Sequence, residues 1–88
     1  MDASYKLKNF FLKTAKTLNQ LKQKEIKKSE KKLQIINEIE EELFYMRESA
    51  KKLLREEKIT QRIYEKLKNR LKQIEQEIKK IKSDLTNL

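Results

Sequence analysis

From Ile36 onward the chain carries one apolar repeat with a single interruption, and that repeat limits the folds open to it. Ile36, Leu43, Ala50, Glu57, Tyr64, Leu71, Ile78 and Leu85 recur every seven residues, and Ile39, Met46, Leu53, Thr60, Leu67, Ile74, Ile81 and Leu88 form the companion set. Two apolar positions per seven residues mark α-helices packed along a seam. Fourteen of these sixteen positions are apolar, and the exceptions, Glu57 and Thr60, are neighbours on the seam.

A continuous helix in a parallel dimer would stack Glu57 on Glu57 in a buried layer, combining desolvation with like-charge repulsion. A turn at the same place removes both costs. Folding the chain between Lys58 and Ile59 sets Leu53 opposite Tyr64, Ala50 opposite Leu67, Met46 opposite Leu71, Leu43 opposite Ile74, Ile39 opposite Ile78 and Ile36 opposite Ile81. Both arms then measure about 40 Å at 1.5 Å per residue. The chain contains no glycine and no proline, so ordinary residues must make its turns and nearly all ordered segments should be helical.

The run Leu54-Arg55-Glu56-Glu57-Lys58-Ile59-Thr60-Gln61-Arg62-Ile63-Tyr64-Glu65-Lys66-Leu67 resembles the helical-hairpin pattern of archaeal coiled-coil proteins and short SHOCT-type modules. In that pattern a Gly-x-Ile-Thr or Gly-x-Ile-Ser turn is followed, four residues on, by an aromatic. Ile59, Thr60 and Tyr64 match, whereas Glu57 stands in place of the glycine. The resemblance implies a turn over Glu57, Lys58, Ile59 and Thr60, with Thr60 as the N-cap of the last helix and Ile59 plugging the hairpin's apolar end. A left-handed Glu57 would carry roughly 1 kcal/mol of strain.

Upstream, Leu7, Phe10, Phe11, Ala15, Leu18, Leu21 and Ile26 share one face of a helix. Lys6, Lys13, Lys16, Lys24, Lys27 and Lys31 lie opposite as a basic stripe. Between Lys22 and Lys32 only Ile26 is apolar, and Ser29 followed by Glu30 is a helix start without a complete capping box. The expected fold is all-α: an N-terminal amphipathic helix over about 4–28 and a long antiparallel helical hairpin over about 33–57 and 61–87. As domains these are residues 1–32 and 33–88. Leu33, Phe44 and Leu54 offer one flank of the second helix to the first, which would give a three-helix bundle. The alternative is a hairpin with an extended arm that presents Tyr5, Leu7, Phe10, Phe11, Leu12 and Leu18 to a protein partner.

Charge decides the class of partner. The net charge is +9, with 42% of residues charged. Much of that is an ordinary solvated helical surface, but the excess of bases favours anionic partners. Residues 1–32 hold 10 lysines and 3 acids, residues 33–57 hold 4 bases and 7 acids, and residues 58–88 hold 9 bases and 4 acids. The middle acids cluster in Glu38, Glu40, Glu41 and Glu42, which a hairpin brings opposite Lys79, Lys80 and Lys82. Lysine stripes contact phosphates without choosing a sequence, and the four dispersed arginines offer no base-reading set.

Histidine and cysteine are absent, which removes the commonest general base, nucleophile and zinc ligands. No glycine means no phosphate-cradling loop. The expectation is a non-catalytic protein without cofactor or metal, cytoplasmic, without a membrane span, and able to form a homodimer. Its size, basicity and Lys/Ile/Glu cast are similar to small accessory proteins of crenarchaea and their viruses, including the basic subunits that accompany a replicative DNA polymerase. Two functions follow: a small basic accessory subunit docked on a nucleic-acid-handling protein and touching phosphates, or a self-assembling coiled-coil scaffold. Binding of the basic first helix to a membrane surface is a third.

Overall fold

The computed structural model describes residues 3–22 and 29–86. They form three helices and no strand: α1 (Ala3–Lys22), α2 (Ser29–Arg55) and α3 (Gln61–Thr86). The bundle measures 45 × 23 × 18 Å, one long helix in length and little more than two helices in width. Lys24, Ile26 and Lys27, within the lysine-rich stretch between Lys22 and Lys32, lie outside the described residues.

The hairpin turn follows from its backbone hydrogen bonds. The Lys58 amide donates to the Leu53 carbonyl at 2.9 Å and the Glu57 amide to the Leu54 carbonyl at 3.1 Å. This pair of bonds is the Schellman ending of a helix, which needs a left-handed residue between its partners. Glu57 takes that conformation, with φ of 58°. Three residues on, the Thr60 hydroxyl accepts the Ile63 amide at 3.2 Å and the Thr60 carbonyl accepts the Tyr64 amide at 3.0 Å. Thr60 is therefore an N-cap. Half-buried Ile59 and Tyr64 flank it against the core, in the positions of a hydrophobic staple.

Every described seam position of α2 and α3 is buried or half-buried except Glu57 and Thr60, the two residues that the turn takes out of the seam. Ile36, Leu53, Leu71 and Ile78 are the most completely enclosed. Two ion pairs bridge α2 and α3, Glu40 with Lys82 at 3.5 Å and Arg47 with Glu75. Their members advance by one heptad along α2 and retreat by one heptad along α3, as antiparallel helices in heptad register require.

Helix α1 closes the bundle instead of projecting as an arm. Leu7, Phe10, Phe11, Thr14, Leu18 and Leu21 are its buried face. The seam thus runs through Thr14, whereas Ala15, expected inside, is exposed. Phe11 meets Arg70 and Lys22 meets Glu77, so numbers rise together along α1 and α3 and the two helices are parallel. Helix α2 runs antiparallel to both.

The expected docking flank on α2 is corrected. Helix α1 lies over Ile35, Glu38, Ile39 and Glu42, with Lys13 paired to Glu42 at 3.3 Å. Leu33 and Leu54 stay only half-buried, and Phe44 is 59% exposed. The opposite margin already carries the Glu40–Lys82 and Arg47–Glu75 pairs, which a third apolar helix would have to strip of water. Ile35 offers an apolar alternative without that cost.

Candidate nucleic-acid interface

Three parallel or antiparallel rods leave two margins on α1, and the margins differ in charge. Towards α2, Lys6 and Lys13 stand one heptad apart, and Lys13 faces Glu38 and Glu42. Towards α3, Lys8, Ala15 and Lys22 form a heptad column, with Lys16 beside it. The α1 and α3 backbones stay more than 8 Å apart. An open groove therefore runs between them, lined by Phe11, Ala15 and Leu18 on one side and Arg70, Gln73, Ile74 and Glu77 on the other.

Helix α3 adds its own cations to this margin. Arg70 lies with its guanidinium carbon 4.4 Å from the centre of the Phe11 ring, a cation–π contact that ties α3 to α1. Lys66 is one turn before Arg70, and Lys80 is one heptad beyond Gln73. The α1–α3 face thus presents Lys8, Lys16, Lys22, Lys66, Arg70 and Lys80, all exposed. Its acids are Glu77, paired with Lys22 at 3.5 Å, and Asp84 one heptad further along α3.

The outer surface of α2 has a mixed character. Glu38, Glu41 and Glu48 are exposed there with Lys31, Lys52 and Arg55, together with Phe44 and Tyr45, whose rings meet edge to face at 5.7 Å. The acidity of Glu75 is perturbed. A hydrogen bond from Lys79 holds its carboxyl below the ordinary 4.5, helped by the charges of Arg47 and Lys79 and opposed by partial burial. Among the described residues no group of three or more acidic side chains gathers to hold a metal ion.

The six lysines of the expected stripe are split by this arrangement. Lys16 lies on the α1–α3 face, Lys6 and Lys13 lie on the α2 margin, and Lys31 is exposed at the start of α2. Lys24 and Lys27 are outside the described residues. Lys8, Lys22, Lys66, Arg70 and Lys80 join Lys16 only because α3 packs beside α1 on that side. Of the residues expected to meet a partner, Leu7, Phe10, Phe11 and Leu18 are buried in the bundle's own core. Tyr5 and Leu12 remain exposed at 53% and 63%.

Comparison with protein-family models, with curated proteins and with solved structures finds no match for this chain. Among the described residues no helix is long and apolar enough to cross a membrane.

Proposed function

We propose that this chain is a non-catalytic helical accessory module that binds the phosphate backbone of nucleic acid through its α1–α3 face, while docked on a nucleic-acid-handling protein such as a DNA polymerase complex. The observation that carries the reading is the excess of positive charge on the α1–α3 face. Six exposed cations and two acids share it, whereas on the back of α2 Glu38, Glu41 and Glu48 are balanced by Lys31, Lys52 and Arg55. A face with such an excess is drawn to a polyanion.

Lysine ammonium groups act on phosphates as point charges, so binding is independent of base sequence and falls with salt. Each phosphate neutralised contributes about 0.9 to the slope of log affinity against log salt on duplex DNA. Titration of a labelled duplex at low and moderate salt tests this. A slope of several units without sequence preference supports it, and absence of binding at low salt sinks it.

The exposed Phe44 and Tyr45 favour a second reading, a self-assembling helical scaffold. Sedimentation at rising protein concentration separates the two. A concentration-dependent dimer or larger species with no affinity for DNA favours the scaffold.

A further inference from the structure

We infer that the α2–α3 margin opposite α1 is the docking trough for an acidic amphipathic helix of a partner protein. Helix α1 fills one side of the α2–α3 pair and leaves the other open. A groove of about 350 Å³ there is floored by buried Ala50 and Leu71 and half-buried Tyr64. A second stretch of about 310 Å³ continues it over Leu43 and Ile78. Arg47 and Glu75, ion-paired across the margin, line both stretches and divide them, so the deeper stretch is the seat for a helix. From Tyr64 to Glu75 it follows α3 for about 16 Å, the length of a three-turn helix, and an occupant there leaves the Glu40–Lys82 pair uncovered. The small side chain of Ala50 deepens the floor, leaving room for an apolar side chain from outside.

Charge selects the occupant. The rim carries Arg47, Lys51, Lys68, Lys72, Lys79 and Lys82 against Glu40 and Glu75. Glu75 answers both Arg47 and Lys79, Glu40 answers Lys82, and Glu48 answers Lys51. Lys68 and Lys72, one turn apart beside the deeper stretch, have no ion pair among the described residues. A helix with an apolar stripe and flanking glutamates would cover the floor and pair those two lysines. A second copy laid trough to trough would instead bring one cationic rim against another. This trough supplies the protein-docking half of the proposed function and rests on that reading.

The test uses the full chain and a fluorescent synthetic peptide of three heptads, with leucines on its seam and glutamates on its flanks. Saturable one-to-one binding is expected. Lys68→Glu with Lys72→Glu should weaken it at least about tenfold. Lys8→Glu with Lys66→Glu, an equal change of charge on the α1–α3 face, should leave it within about twofold. Both pairs are exposed, and circular dichroism checks that each variant is folded; Lys68→Gln with Lys72→Gln gives a milder version. Equal loss in the two variants overturns the proposal. So does undiminished binding of a peptide whose leucines are replaced by serine, or a homodimer that Lys68→Glu with Lys72→Glu dissolves. The same variants titrated with duplex DNA separate this site from the phosphate face. DNA affinity lost only in the Lys8 and Lys66 variant supports two sites, and DNA affinity lost only in the Lys68 and Lys72 variant overturns the trough as a protein site.

Discussion

The Lys58 amide reaches back to the Leu53 carbonyl at 2.9 Å, and that bond fixes where the long apolar repeat folds on itself. It encloses Glu57 in the left-handed region, where a side chain with a β-carbon is strained. Replacing Glu57 by glycine should therefore stabilise the protein by about 1 kcal/mol. Urea unfolding measures it, and the β-branched variant Glu57→Val should move the midpoint the other way.

Thr60 begins α3 by accepting the Ile63 amide. Thr60→Ala should cost about 1 kcal/mol, whereas Thr60→Ser or Thr60→Asp should retain most of the cap. Thermal unfolding of the three variants distinguishes a lost cap from a general sensitivity of the turn.

Arg70 and Phe11 form a cation–π tie between α1 and α3. Arg70→Gln should destabilise by about 0.5–1 kcal/mol, the size of an exposed cation–π contact. A double-mutant cycle with Phe11→Leu isolates the coupling. A coupling near zero would mean that this contact does not hold α1 to α3.

Acid should weaken the α2–α3 pair through Glu75. Its folded pKa is lowered, so its contribution is present above the ordinary glutamate value and is lost as pH falls through the lowered one. The group is partly exposed, so the effect stays below about 1 kcal/mol. Urea midpoints at neutral pH and in acid should converge between the wild type and Glu75→Gln as pH falls.

The turn and the seam were legible because each rests on local rules. Glu57 and Thr60 broke an otherwise apolar repeat, and Ile59 and Tyr64 fell where a staple would put them. The sequence also placed Leu7, Phe10, Phe11, Leu18 and Leu21 on one face, which is the face that α1 buries. The side of the hairpin that α1 would choose was not legible. That choice depends on whether Ile35 or the Glu40 and Arg47 margin is cheaper to cover, a comparison that needs the ion pairs to Lys82 and Glu75 on another helix. The handedness of the bundle follows from it, and so does the membership of the basic face. Lys8 and Lys22 were not part of the expected stripe, and they join a basic face because Lys66, Arg70 and Lys80 lie beside them. Thr14 was missed for a simpler reason: its hydroxyl hid a seam position that spacing from Leu7 and Leu21 would have shown.

The most direct measurement is a nitrogen-15 spectrum of the full chain titrated with a short DNA duplex at low salt. The perturbed amides and side chains should cluster at Lys8, Lys16, Lys22, Lys66, Arg70 and Lys80, and return to their free positions as salt is raised. Perturbation centred on α2, or on the trough beside Lys68 and Lys72, or no perturbation at all, would contradict the account.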